Sequence, residues 1–178
     1  MEVYHYPDPV LRERARPVEQ FDERLAALAA DMVKTMTEAN GLGLAAPQVG
    51  LSLKVVVVSA DGQPGKEMVL VNPEIVSTEG AEVAEEGCLS FPGIFVKIRR
   101  FHRVGVRYRD VRGEVHEAEV EGLLARAVQH ELDHLDGRLL VDRMSPVQRV
   151  AQRRRLRELK DRYERRAGRT AAGSKTNR

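Results

Sequence analysis

Apolar positions recur along this chain with two different periods, and the changes of period divide it into elements. Leu25, Leu28, Ala29, Met32 and Met36 form one stripe at helical spacing. Asp22 is placed to cap that run and Asn40-Gly41 to end it, so a helix is expected up to about Ala39. After a Gly-rich stretch, Leu53–Ser59 contains four consecutive valines and predicts a buried strand. Asp61-Gly62-Gln63-Pro64-Gly65 is a turn, and Met68–Val71 is a second strand that stops at Asn72-Pro73. Short strands are expected near Ile75–Ser77, Val96–Ile98, Val104–Tyr108 and Val115–Val120. Helical spacing returns with Leu123, Leu124, Ala125, Ala127, Val128, Leu132 and Leu135, and Gly137 stops it. Ser145-Pro146 opens a last helix, with Ser as cap and Pro in the first turn. Strands lie between framing helices and do not alternate with them. The pattern therefore predicts an α+β fold: mixed or antiparallel sheets around a central helix at about 123–135, with an N-terminal helix and a C-terminal helix.

Composition adds a boundary. With 178 residues, 42% hydrophobic and 31% charged, the chain has the length and balance of one soluble domain with a tail. No apolar run is long enough to span a bilayer, and Met1-Glu2-Val3-Tyr4-His5 lacks the design of a secretory signal. The single cysteine, Cys88, excludes an internal disulfide and suits a reducing compartment, so a cytoplasmic location is expected. The net charge of +2 hides an asymmetry: residues 145–178 hold 12 Lys/Arg and 3 Asp/Glu, a net +9, which leaves −7 for residues 1–144. We expect a main domain over 1–144 and a basic C-terminal helix over 145–178 whose end, from Gly168, is disordered. The sign of the tail is that of a nucleic-acid contact.

The helix at 123–135 carries His130-Glu131-Leu132-Asp133-His134. Histidines at i and i+4 lie on one helical face and can offer two neutral nitrogens to one metal ion, with Glu131 beside it to handle the proton of an activated water. Leu123 and Ala127 share that face, which is apolar apart from the two histidines and suits a buried ligand pair. A catalytic ion needs a third protein ligand. Gly137 matches the glycine of the extended pattern H-E-x-x-H-x-x-G-x-x-H, but residue 140 is Leu where the third His belongs, so that reading fails. Glu158 lies downstream within the Arg-rich tail, a poor place for a buried ligand. Upstream, Glu85-Glu86-Gly87-Cys88-Leu89-Ser90 offers a thiolate, a good ligand for zinc or ferrous iron.

Three motifs occur in order: Gly41-Leu42-Gly43-Leu44-Ala45-Ala46-Pro47-Gln48, Glu86-Gly87-Cys88-Leu89-Ser90, and Gln129-His130-Glu131-Leu132-Asp133-His134. With Tyr6-Pro7-Asp8-Pro9-Val10-Leu11-Arg12 they make the chain resemble the peptide deformylases from about residue 4 to about residue 144. The resemblance implies hydrolysis of the N-terminal formyl group of formyl-methionine on nascent polypeptides, releasing formate. It implies Cys88, His130 and His134 as metal ligands and Glu131 as the catalytic carboxylate. Gln48 and the backbone N–H of Leu89 are implied donors to the formyl oxygen, and losing one such donor typically raises the barrier by about 3 kcal/mol. The ion implied is Fe2+, with Zn2+, Ni2+ or Co2+ as alternatives, because Cys-His-His suits several metals.

The same resemblance places Leu42 and Gly43 beside the peptide as a strand-like partner, and Glu86 in a pair with Arg100 that holds the Cys88 loop. Leu123, Arg126 and Ala127 precede His130 by seven, four and three residues and are expected to wall the methionine pocket, Arg126 with its stem inside and its head in water. His5, His102 and His116 have no motif around them and are not expected to be ligands. Some relatives bind the ribosome through a C-terminal helix, so the basic run Arg149–Arg166 is expected to contact rRNA.

Overall fold

Asp22 Oδ1 accepts hydrogen bonds from the N–H groups of Arg24 and Leu25 and starts helix α1, Glu23–Glu38. Two residues past the helix end, Asn40 turns the chain away with a left-handed φ of 53° that Asn tolerates better than most residues. The computed structural model describes residues 1–60 and 65–173, so most of the expected turn at 61–65 lies outside the described residues.

Seven strands follow among the described residues. β1 (Gly43–Ala45), β2 (Val55–Val58), β3 (Met68–Glu79), β6 (Arg103–Arg109) and β7 (Val115–Glu121) form an antiparallel sheet in the order β1-β2-β3-β6-β7. β4 (Glu82–Gly87) and β5 (Phe95–Arg100) form a separate antiparallel hairpin. Helix α2 (Gly122–Leu135) follows β7 directly, and α3 (Leu140–Arg143) leads into α4 (Pro146–Gly173). The α+β class is as expected, and every ladder between these strands is antiparallel.

The four valines of β2 show how the core is layered. Strand side chains alternate between faces. Val56 and Val58 join Leu70, Val104, Val106, Ala125 and Val128, on the α2 side of the sheet. Val55 and Val57 join Leu25, Met32 and Met36 of α1, on the other side. α2 is thus the central helix, packed against β1 and β2.

Two expectations are corrected. Asn72-Pro73 does not end the second strand: β3 continues to Glu79 and includes the expected Ile75–Ser77. Asn72 adopts a φ of 52°, the register with β6 shifts between Val71 and Glu74, and the bulge accommodates the missing N–H of Pro73. The Asn72 side chain meanwhile bonds Val18 N–H at 2.8 Å and Val18 O at 2.9 Å, tying the N-terminal segment to the sheet. The stretch expected to be disordered from Gly168 is helical as far as Gly173, and the remainder, 174–178, lies outside the described residues. The start of α4 is as expected, Ser145 Oγ and Gln148 Oε1 each accepting the other residue's backbone N–H. Leu159 of α4 is buried with Leu11, Phe91, Ile94 and Leu139, a third cluster that fastens the helix over the 88–95 loop.

Candidate metal centre

Glu86, on β4, accepts from Arg100 Nε and Nη2 at 2.8 and 3.0 Å and lies 3.0 Å from His130 Nδ1. Burial opposes ionisation of Glu86, but the hydrogen bonds from His130 and Arg100 outweigh it and hold the carboxyl at about 2. An ionised carboxylate can only accept, so the neutral ring of His130 carries its proton on Nδ1 and leaves the Nε2 lone pair for a ligand. That Nε2 is buried and has no hydrogen-bond partner among the described residues. His134, one turn further along α2, places its own Nε2 3.3 Å from Cys88 Sγ.

Cys88, His130 and His134 can each bring one ligand atom within 4.8 Å of the others. A buried, unpartnered imidazole nitrogen beside a thiol is an unfavourable arrangement unless something ligates it, and two imidazoles with a thiolate form a donor set suited to a divalent transition metal. The residues fit such an ion. The local field agrees: burial works against a charged His130, but Cys88 and Glu86 outweigh it and raise its pKa well above the ordinary value. Surroundings that favour positive charge there also favour a bound cation. His134 moves the other way, kept neutral first by burial and then by its neighbours His130 and Arg100.

Glu131 is buried, and Oε2 has no hydrogen-bond partner among the described residues. Burial pushes its carboxyl up to about 7, where a group can both take and return a proton near neutral pH. Gly43 of β1 lies so close that a Cβ there would come within 2.8 Å of Glu131 Cγ and closer still to Oε1. Only glycine lets strand and carboxylate approach this way.

Gln48, on a 3-10 turn at Ala46–Val49, is buried behind Cys88. Its Oε1 accepts from Ala45 N–H at 2.8 Å, and its Nε2 donates to Ser90 Oγ at 3.2 Å and lies 3.7 Å from Cys88 Sγ. The carbonyl end is thereby fixed and the N–H end faces the thiol. Leu89 N–H makes no hydrogen bond among the described residues, which leaves it free as a donor.

A cleft of about 400 Å³ opens onto Cys88, Leu89, His130 and Glu131, with Gln48 and His134 buried behind its wall. Leu42, Gly43, Cys88, Leu89, Leu123, Arg126, Ala127, His130 and Glu131 line it, together with Gly41, Pro92 and Phe95. β1 is an edge strand of its sheet, bonded to β2 on one side and open on the other. One expectation fails here: the Arg126 head does not reach water but is buried against Glu86 and hairpin carbonyls. Glu158 sits on α4 in an exposed pair with Arg154. His102 pairs with Glu82 and His116 with Asp110 at half-exposed positions. Asp110, Glu114 and His116 also bring ligand-type atoms together, but Asp110 is occupied in accepting the Arg112 and Glu114 amides of its turn.

Pattern reading missed Asp133 and Ser90. Asp133 accepts from Arg100 Nη1 at 2.7 Å and from Arg143 Nε at 2.9 Å, and Ser90 orients Gln48. Asp133 had a signal, an acid three residues after His130 on a mostly apolar helix, but nothing in the sequence names its partners.

A family model described as polypeptide deformylase matches residues 1–150. The chain is 50% identical over 155 residues to a peptide deformylase of Thermotoga neapolitana, covering 86% of this chain and 93% of that one. It is 45% identical over 179 residues to one of Alkalilimnicola ehrlichii, covering 100% and 98%. Among solved structures, peptide deformylase 1B of Arabidopsis thaliana in complex with an inhibitor superposes with a TM-score of 0.90 at 42% identity, covering 94% of both chains. A peptide deformylase from Legionella pneumophila gives 0.84 at 45% identity, covering 94% and 97%.

Proposed function

The chain belongs to the peptide deformylase family, whose reaction removes the formyl group from nascent peptides, and we propose that it carries out this hydrolysis with Cys88, His130 and His134 holding one divalent ion. The observation that carries the ligand assignment is the unpartnered Nε2 of His130, held toward a ligand role by the Glu86 carboxylate behind it. Fe2+ is the native ion in this reading, with Zn2+, Ni2+ or Co2+ able to replace it. When bound, the ion supplies Lewis acidity, which polarises a carbonyl and makes water a better nucleophile near neutral pH.

The protein's own groups do the rest. An extended formyl-methionyl peptide lies along the open edge of β1, beside Glu131, which Gly43 lets pack against that strand. Its methionine side chain enters the cleft between Leu42 and the α2 face of Leu123, Arg126 and Ala127. The formyl oxygen is met by Leu89 N–H and Gln48 Nε2, donors fixed before the substrate arrives and worth most when negative charge develops on that oxygen. Glu131 takes the proton of the attacking water and returns one to the departing α-amine, so that formate and the free N-terminus leave. Formate release from formyl-Met-Ala-Ser by protein prepared anaerobically, with metal content measured in parallel, tests this reading. No formate from the metal-loaded protein would overturn it.

The basic helix supports a second element. Arg149, Arg153, Arg154, Arg155 and Arg157 are exposed on α4, while Leu159 anchors that helix to the domain. We assign residues 1–144 to catalysis and the helix from 145 to ribosome docking through rRNA phosphates, in the cytoplasm where nascent chains emerge. No described helix is long and apolar enough to cross a membrane. Co-sedimentation with ribosomes at low salt should fall when residues 145–178 are deleted, and unchanged co-sedimentation would refute the assignment.

A further inference from the structure

Cys88 and the two histidines come from parts of the fold that hardly touch through their backbones. α2 makes its close approaches to β1, β2, β6, β7 and the 3-10 turn bearing Gln48. Cys88 instead follows the last residue of β4, in the separate β4–β5 hairpin. Long charged side chains bridge the two parts. His130 and Arg126 of α2 reach Glu86 of β4, and Arg100 of β5 reaches Asp133 of α2.

Arg126 is the unexplained member of this set. Arg100 already grips both oxygens of Glu86, so charge balance at Glu86 does not require a second buried guanidinium, whose desolvation is unfavourable. The geometry points to a different task. Arg126 Nη1 donates to Glu86 Oε1 at 2.8 Å and Ile98 O at 2.9 Å, with Ala84 O at 3.4 Å, and Nη2 donates to Glu82 O at 3.2 Å. These acceptors belong to both strands of the hairpin, while Arg126 stands one helical turn before His130. One side chain thus spans from the helix that carries His130 to both strands of the hairpin that carries Glu86.

We propose that Arg126 is a positioning residue for the metal centre: it braces the β4–β5 hairpin against α2, so that Glu86 stays on His130 Nδ1 and Cys88 stays opposite His134. This rests on the ligand assignment above and deepens it, since a residue expected to wall the substrate pocket governs how firmly the ion is held.

The test uses the full chain loaded with Ni2+ or Co2+. Arg126→Met keeps the unbranched stem that lines the cleft and removes the hydrogen-bonding head. It should release Ni2+ to a chelator about 10-fold faster than the parent. It should also change the visible absorption of the Co2+ form, and lower kcat while KM for formyl-Met-Ala-Ser stays within about 2-fold. Arg126→Lys, a cation that cannot span the same acceptors, should fall between the two, and it provides the same readouts if the Met variant does not fold. Unchanged Ni2+ release with an unchanged Co2+ spectrum would overturn the proposal, as would a change confined to KM, which would make Arg126 a pocket wall alone. Parent protein that holds the ion yet releases no formate would sink the deformylase reading and leave the bracing measurable by Ni2+ release.

Discussion

Glu86 Oε2 lies 3.0 Å from His130 Nδ1, a contact across 44 residues of chain that decides which imidazole nitrogen is free for an ion. Glu86→Gln keeps the shape but gives up the ionised acceptor. The variant should bind its metal about 10- to 100-fold more weakly, measured by competition with a chelator. Equal affinity would mean that the backbone of α2 alone orients the ring.

Glu131→Ala removes the proton carrier and leaves the three ligands in place. The metal content of the purified variant should match the parent, while formate release falls about 100- to 10,000-fold. Near-normal turnover would transfer the proton step to another group.

Cys88→Ala separates this site from one in which the third ligand lies downstream of the histidines. The variant should lose its ion on dialysis, whereas Glu158→Ala should retain it, because Glu158 is exposed on α4 beside Arg154. Metal analysis of the two variants decides the matter directly.

Gly43→Ala places a methyl group against the Glu131 carboxylate. Shifting either group costs about 1–3 kcal/mol as overpacking. Both the unfolding midpoint and kcat should therefore drop. A variant with parental stability and turnover would show that β1 moves away freely.

Asp142 supplies an acid-sensitive tie between α3 and the N-terminal segment. Burial opposes its ionisation, but hydrogen bonds from Arg12 and from Leu139 N–H outweigh that and lower its pKa below 3.8. A carboxyl lowered in the folded state adds stability that is fully present above its unfolded-state value and is lost as the pH falls through the folded value. Metal-free parent protein should therefore lose more stability than Asp142→Asn below about pH 4. Parallel denaturant curves across that range would exclude a contribution from this pair.

Periodicity and local chemistry determined a good deal without tertiary information. The caps at Asp22 and Ser145, the buried valine strand, the helix around His130 and the α+β class follow from side chains acting on neighbours within a turn or two. The histidine pair was legible for the same reason, since i and i+4 share a helical face wherever the helix is packed. Strand β4 was not legible, because Glu82, Val83, Ala84, Glu85 and Glu86 show no apolar alternation and pair through their backbones with β5. The path of β3 through Asn72-Pro73 depended on a bulge and on Val18, 54 residues away. Arg126 marks the limit most clearly. Its charge and its helix face suggested a stem in the pocket and a head in water, but folding places the hairpin over it and replaces water with Glu86 and three carbonyls. A buried ion network is a property of which distant segments meet, and its partners here come from three elements that only the folded chain brings together.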